Sequence, residues 1–573
     1  MPEQALGFRV QGYGMTHHAD LFADRQLVAL VNFCELIHEM RARIVDAALL
    51  GGASRGEQLV KDGVGAEAYA DSLVIYLSMA FSRVCGSLTC LNMWNPAPSK
   101  EGVGGLFKLQ AIPMSWDFAE CNTFFDGPAD VATSSTWVSK ALSLLPANNI
   151  GRVRQYDAKD RTYDGLSVST DPPYYDNVGY ADLSDFFYVW LRRALGDTLG
   201  SLFETLLTPK SDELVADPFR HAGPVSAEKY FENGFKKVFA KVRAESNPQI
   251  PMTVYYAYKQ SENDPGGERS TGWDTLLEGM VSAGWAVTGT WPVRSERSGR
   301  VRDVQSNALA SSVVLACRPR ALDAPMTDRR GFISALQDEL PVALRELQQG
   351  SIAPVDLAQA AIGPGMAAFS RYGGVSEPDG SPMSVQTAIR LINQMLAGVL
   401  SAQEGDFDVD TQWCMKWFET YGFDDGPSGK ADDLARAMNT SISGLERAKV
   451  AKARAGRTIL VAPDDLDYRY DPERDDRPTV WESALHLSKR LEEQGVSAAG
   501  TFMAKLDGRV DLDAIKELAY LIYSICNDKK WVQTALRFNS LVTSWSDLLA
   551  AKNIAARRGV GPTQATFDFD AAE

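Results

Sequence analysis

The chain has 573 residues, of which 45% are hydrophobic and 23% charged, and a formal charge of −16. At roughly 100–200 residues per domain, that length allows about three domains with a core needing no disulfide or metal staple. The negative charge excludes a protein that coats nucleic acid indiscriminately, since phosphate neutralisation drives such binding, but not a basic cleft on an acidic body.

No apolar run approaches the roughly 20 residues that span a bilayer, and Met1-Pro2-Glu3-Gln4 lacks the basic and apolar regions of a signal peptide. The expected setting is cytoplasmic, with no membrane partner. Cys34, Cys85, Cys90, Cys121, Cys317, Cys414 and Cys526 form no C-x-x-C pair and His17-His18 stands alone; buried free thiols and no metal site are expected.

Residues 1–104 read as a helical region. Asp24–Ala48 and Ala66–Val84 lack Pro and Gly and carry apolar residues at helical spacing; Tyr69, Tyr76, Met79 and Phe81 are expected in the core. Residues 105–325 change to short β-type runs alternating with helical segments, the pattern of an α/β sheet. Strands are expected at 151–157, 165–170, 252–258, 285–291 and 311–317, the last two as antiparallel neighbours at a sheet edge. Residues 326–573 return to helix, with amphipathic candidates at 384–403 and 511–527. A third at 331–347 contains Pro341, which should break or kink it. Residues 463–478 read as a connecting loop.

The chemistry is concentrated in Asp171-Pro172-Pro173-Tyr174, which follows the expected strand at 165–170. Two prolines fix two φ angles and leave their carbonyls as acceptors, and Asp171 adds a carboxylate at the strand's C-terminal end, where open α/β sheets place ligands. The layout suits an exocyclic amine, whose lone pair is delocalised into its base. The Asp171 carboxylate and Pro172 carbonyl can accept its two hydrogens, hold the nitrogen nearer tetrahedral and aim the lone pair at a methyl donor. The Tyr174 ring can stack on a base swung out of the helix.

Two basic runs are candidate phosphate contacts. Arg294, Arg297, Arg300 and Arg302 crowd one loop, with Arg318 and Arg320 beyond the next strand; Lys449, Lys452, Arg454 and Arg457 form the other. Trp413, Trp417 and Phe418 read as core. The C-terminal helices are a possible target-recognition or partner surface.

The stretch Asp171–Arg193, DPPYYDNVGYADLSDFFYVWLRR, resembles a large bacterial and archaeal family of adenine-specific DNA methylases. Its members carry an N-terminal domain of unknown function and are often found near phage-defence genes. Residues 111–120, 307–320 and 356–365 extend the resemblance over nearly the whole chain. It implies a Rossmann-like methyltransferase sheet, S-adenosylmethionine as donor, the N6 amine of adenine in DNA as acceptor, and a place in phage defence or restriction-modification. Asp157 stands where such enzymes often place an acid against the donor's adenine; a strand-end Asp capping a turn is the competing reading.

One feature of the family has no counterpart. Its Gly-rich turn after the first strand, and the acid after the second, would hold the donor's carboxylate and ribose. Asp62-Gly-Val-Gly65, Glu101-Gly-Val-Gly-Gly105 and Gly363-Pro-Gly365 are the substitutes available, and each reads as a turn or cap. The expectation is therefore a partial sheet, its later strands only, flanked by helical regions. The chain is then the catalytic half of a split enzyme or a piece of a longer one, needing a polypeptide that supplies the first strands. A non-catalytic nucleic-acid-binding or scaffold subunit, or methylation of cytosine N4, are the alternatives.

Overall fold

The computed structural model describes residues 1–96, 101–107, 110–125, 129–145, 151–175, 178–256, 272–294, 311–403, 407–467 and 469–558. The fold is mixed α/β and mostly helical, in two compact units: residues 1–162 with 173–241, and residues 163–172 with 242–573.

The first unit is built on α1 (Asp24–Leu50) and α2 (Ala66–Cys85), joined by a loop closed on α2. Helix α1 buries Leu30, Cys34 and Ile37, one position per turn. Arg41 of α1 pairs with Glu67 and the buried Asp71 of α2 at 3.0 and 2.7 Å. A small hairpin, β1 (Trp94–Asn95) with β2 (Gly102–Val103), and helices α3 (Val131–Leu144), α4 (Tyr180–Leu195) and α5 (Pro224–Glu245) follow; the last turn of α5 belongs to the second unit. Phe22 stacks on Phe186 of α4 and meets Trp190 edge-on, with centroids 5.8 and 5.4 Å apart.

The expected core set on α2 divides. Phe81 is buried, but Tyr69 and Met79 are more than half exposed, because α2, packed against α1, α3 and α4, still keeps one side open to solvent. The expected strand at 151–157 does not form. Its one aliphatic residue, Val153, is fully exposed, and the segment pairs with no strand among the described residues.

The second unit contains β3 (Ser169–Thr170), β4 (Met252–Tyr256), α6 (Gly272–Ser282), β5 (Trp285–Arg294) and β6 (Ser311–Pro319). The sheet order is β3-β4-β6-β5. Strands β3 and β4 are parallel, and β6 is antiparallel to both neighbours. Strands β3, β4 and β5 therefore point one way and β6 is reversed, as expected for the last two strands. Only two residues of the expected strand at 165–170 join the ladder.

Beyond the sheet run β7 (Met326–Asp328), α7 (Arg329–Gln349), α8 (Pro354–Ser370), β8 (Gly374–Ser376) and α9 (Val385–Ala402). Then come α10 (Val409–Tyr421), β9 (Gly426–Pro427), α11 (Ser428–Ala437), α12 (Ile442–Arg447), β10 (Ala451–Arg454), β11 (Arg457–Leu460), α13 (Val480–Leu506), α14 (Leu512–Asp528), α15 (Val532–Thr543) and α16 (Trp545–Arg558). The amphipathic helices at 384–403 and 511–527 are thus α9 and α14. Helix α7 runs through Pro341 unbroken, since Phe332, Leu336, Leu340 and Leu344 stay buried on one face. Trp413, Trp417 and Phe418 lie in the largest apolar core.

Two small sheets interrupt the expected helical region. Strands β7 and β8 are parallel, and β9, β10 and β11 form a three-stranded antiparallel sheet of order β10-β11-β9. Among the described residues no helix is long and apolar enough to cross a membrane.

Candidate functional site

Asp171 and Pro172 follow β3 directly, at the C-terminal end of a strand parallel to β4. Asp171 is exposed and Pro172 buried. The register aligns Thr170 with Val254, Val254 with Leu315, and Leu315 with Thr290. Strand β5 ends on Arg294, so Arg294 closes its strand at the end of the sheet where β3 gives way to Asp171. Strand spacings of about 4.8 Å separate β3 from β5 by roughly 14 Å. Arg297, Arg300 and Arg302 lie outside the described residues.

Arg318 and Arg320 do not join that group. Arg318 pairs in register with Ala286, near the start of β5, while Ser311 pairs with Arg294 at its end. At about 3.3 Å per residue the two ends stand roughly 25 Å apart. Arg320 is half-buried and donates to the carbonyls of Val281 and Ser370; Arg318 donates to the carbonyl of Gln249. These two arginines fasten the far end of the sheet. Their nearness to Arg294 in sequence reflects only the antiparallel reversal from β5 to β6.

The division between the units falls within the motif, between Pro172 and Pro173. Pro173, Tyr174 and Tyr175 are half-buried in the first unit. Tyr175 adopts φ of 51°, a left-handed conformation costly for a residue with a Cβ. It is fixed there by its own N–H donating to the Pro173 carbonyl, by its carbonyl accepting from Ala216 N at 3.1 Å, and by edge-on contact with Phe231.

The following helix, α4, is tied down by charge. Arg220 pairs with Asp182 at 2.5 Å, Glu213 at 2.5 Å and Asp217 at 3.2 Å. Glu213 also accepts from Ala181 N in the first turn of α4. One turn on, the fully buried Asp185 pairs with Lys210 at 2.7 Å and accepts from Thr208. The segment 208–220 thus clamps both Tyr175 and the start of α4. Sequence reasoning passed over these residues. The signal available was two aspartates at i and i+3, Asp182 and Asp185, beside the apolar run Phe186 to Leu191.

Asp157 caps a turn. Its Oδ1 accepts from Lys159 N and its carbonyl from Asp160 N and Arg161 N, while Oδ2 pairs with Lys159 Nζ at 3.2 Å. It does not end a strand.

The glycine runs are occupied by packing. A Cβ on Gly63 would lie 2.1 Å from the Glu57 carbonyl oxygen, and Gly65 precedes α2 as its cap. Gly102 lies in β2 of the small hairpin. Gly363 and Gly365 correct the expectation of a turn, because both sit inside α8. A Cβ at Gly363 would meet the Thr290 side chain at 2.2 Å, and one at Gly365 would meet Ile392 at 2.5 Å. These glycines let α8 approach β5 and α9 closely, and Ser370 at the end of α8 accepts a hydrogen bond from Val287 N of β5. Gly104 and Gly105 follow the two-residue β2 of that hairpin, and among the described residues no Gly-rich turn follows a strand of the four-stranded sheet.

Five of the seven cysteines are buried as free thiols, and Cys90 and Cys121 are half-buried. Burial pushes the Cys34 thiol up to about 12, so it is inert as a nucleophile. No group of three His, Cys, Asp or Glu side chains that could hold a metal occurs among the described residues.

Residues 408–567 match the family model described as "Domain of unknown function (DUF8807)". No curated protein and no solved structure matches the chain.

Proposed function

We propose that this chain carries the acceptor-binding half of an amino-group DNA methyltransferase acting on adenine N6. The observation that carries the reading is the placement of Asp-Pro-Pro-Tyr at the C-terminal end of β3, in a sheet of three co-directional strands and one reversed strand. That sheet reads as the later half of a Rossmann-like methyltransferase sheet. Ligands of open α/β sheets bind outside the carboxyl ends of the strands.

Asp171 supplies a carboxylate and Pro172 a carbonyl, two acceptors on adjacent residues for the two hydrogens of an exocyclic amine. Accepting both hydrogens pulls the nitrogen out of conjugation and exposes its lone pair. The prolines hold those acceptors without competing N–H donors. Tyr174 then stacks on the extruded base. Arg294, with Arg297, Arg300 and Arg302 following it in sequence, is the proposed phosphate contact.

S-adenosylmethionine is the donor implied by the family resemblance, but the residues present do not complete its cradle. A second polypeptide, or a further segment, is required to hold it. Among the described residues β3 pairs on one side only, with β4. The segment leading into it and its first residue are mixed in polarity: Leu166, Ser167 and Ser169 are exposed and Val168 is half-buried. An edge of this kind suits addition of a further strand. The committed glycines favour a second reading for the chain by itself, a nucleic-acid-binding or scaffold subunit of a defence complex that transfers no methyl group.

Calorimetric titration separates the readings. The chain alone is expected to bind S-adenosylmethionine negligibly, and to bind it and methylate adenine-containing duplex once a polypeptide with the Gly-rich turn is added. Asp171→Ala in that complex should lower methyl transfer by about 10²–10³-fold, the scale of removing one positioned acceptor. Wild-type activity in Asp171→Ala would remove the motif from the mechanism.

A further inference from the structure

We infer that residues 408–461 form a duplex-DNA-docking module, a helix-turn-helix carried by α11 and α12 with the β10–β11 hairpin as its wing. The inference rests on topology and charge within the second unit and not on the methyl-transfer reading, so the two fail separately.

The element order is α10–β9–α11–α12–β10–β11, and the sheet order places β11 between β9 and β10. This is the arrangement of a winged helix-turn-helix: three helices, a short strand after the first, and a hairpin after the third. Helices α11 and α12 are joined by residues 438–441, a four-residue turn of the length that sets helix-turn-helix pairs at a steep angle. Asn439 makes the reversal with φ of 56°, a conformation Asn tolerates better than most residues. Thr440 N closes the turn on the Ala435 carbonyl, and Ser441 caps α12 through Gly444 N.

The parts are fixed to one another. Trp413 of α10 donates from its indole N–H to the Ala431 carbonyl of α11. Ser428 N donates to Gly456 O at the hairpin tip, and Ser428 Oγ meets Thr458 Oγ1 at 3.0 Å. Glu446 of α12 accepts from Ala453 N of β10 at 2.9 Å, holding the wing against the helix. Leu445, Ala448, Val450, Ala451 and Leu460 close the core beneath.

In a chain of net charge −16, residues 408–461 carry eight Lys and Arg and eight Asp and Glu, and the basic excess is confined to residues 428–461, with seven Lys and Arg against three Asp and Glu. Three of these cations have local partners: Arg457 binds Asp425 through two nitrogens, Lys449 lies over the Tyr470 ring, and Arg447 donates from Nε to the Ser443 carbonyl at 3.3 Å. Lys452 and Arg454 share one face of β10, are exposed, and make no ion pair among the described residues. On α12, Ser443 and Arg447 are also exposed, four residues apart and so on one face. Glu446 beside them is occupied with the wing.

The partner follows from geometry. A helix or two-stranded ribbon enters the B-form major groove, about 12 Å wide; the A-form groove of duplex RNA is too narrow. Arg447 and Ser443 face the groove and Lys452 and Arg454 take flanking phosphates.

The test is fluorescence anisotropy of the full chain with a labelled mixed-sequence 30-base-pair DNA duplex, across a salt series. The wild-type chain is expected to bind with a negative salt slope. Replacing Lys452→Ala and Arg454→Ala together should weaken binding and make the slope shallower by about 2 units, and Arg447→Ala by about 1. Lys236→Ala with Lys237→Ala, exposed on α5, is the charge-matched control and should leave the slope unchanged. All substituted side chains are exposed, and circular dichroism confirms folding. No binding by the wild-type chain at low salt, slopes unmoved by the wing and helix substitutions, or tighter binding of an RNA duplex of the same sequence would each overturn the inference.

Discussion

Before the Pro172–Pro173 bond, the motif is carried by a sheet whose neighbouring helix packs through glycines and apolar side chains; after it, by a helix anchored through buried charges. In the second unit, α8 reaches β5 at Gly363 and α9 at Gly365 because these residues carry no side chain, and neither interface holds an ion pair among the described residues. In the first unit, Asp182, Asp185 and Asp217 are almost fully buried and depend on Arg220 and Lys210. Close apolar packing tolerates small volume changes. A buried ionic cluster tolerates loss of the whole set better than loss of one member, because a single deletion leaves uncompensated charge.

The largest effect is therefore expected at Arg220. Arg220→Met should destabilise the first unit by about 3–5 kcal/mol, measured by denaturant unfolding, and should speed amide exchange in residues 173–182. Adding Asp182→Asn, Glu213→Gln and Asp217→Asn should restore part of that loss. A quadruple variant less stable than Arg220→Met would break the comparison.

A smaller cost is expected on the neutral side. Gly365→Ala forces a Cβ against Ile392, and overpacking of this kind costs about 1–3 kcal/mol. Ile392→Ala removes the three atoms it meets, so the two substitutions together should cost less than their sum, read as a double-mutant cycle. Strict additivity would show that α8 accommodates the methyl group elsewhere.

A third effect, which largely cancels in the unsubstituted chain, concerns pH in the C-terminal core of the second unit, where burial acts on two neighbours in opposite senses. Burial raises Glu482 to about 7 and lowers His486 to about 3. The Glu482 carboxyl binds its proton more tightly in the folded state, so its contribution is present at low pH and is lost as pH rises from about 4.5 to 7. His486 is neutral when folded, so its contribution is lost as pH falls below about 6.5. Each changes stability by about 1.4 kcal/mol per pH unit within its window, and the two oppose each other between about 4.5 and 6.5. His486→Phe should leave a chain that becomes more stable on acidification through that range, and Glu482→Gln one that becomes less stable. Parallel profiles for the two variants would show that the pair titrates otherwise.

The sequence by itself determined the alternation of strands and helices, the Asp171–Tyr174 motif after a strand and the apolar seams of α1, α9 and α14, because these are signals of period and local backbone chemistry. It erred where a local pattern needed a distant partner. Residues 151–157 have strand-like composition but no ladder among the described residues, and Gly363-Pro-Gly365 looks like a turn until β5 and α9 are brought against it. Arg318 and Arg320 seem to join Arg294 until the antiparallel reversal from β5 to β6 places them at the far end of the sheet. The basic run from Lys449 to Arg457 was visible, but its role as a hairpin beside α12 was not, since the order β10-β11-β9 joins strands separated by two helices. Only the tertiary structure decided that Asp182 and Asp185 are anchors, because their cations lie 25 to 38 residues away. Period and backbone chemistry are written in adjacent residues; burial, ion pairing and strand order depend on what the folded chain brings near.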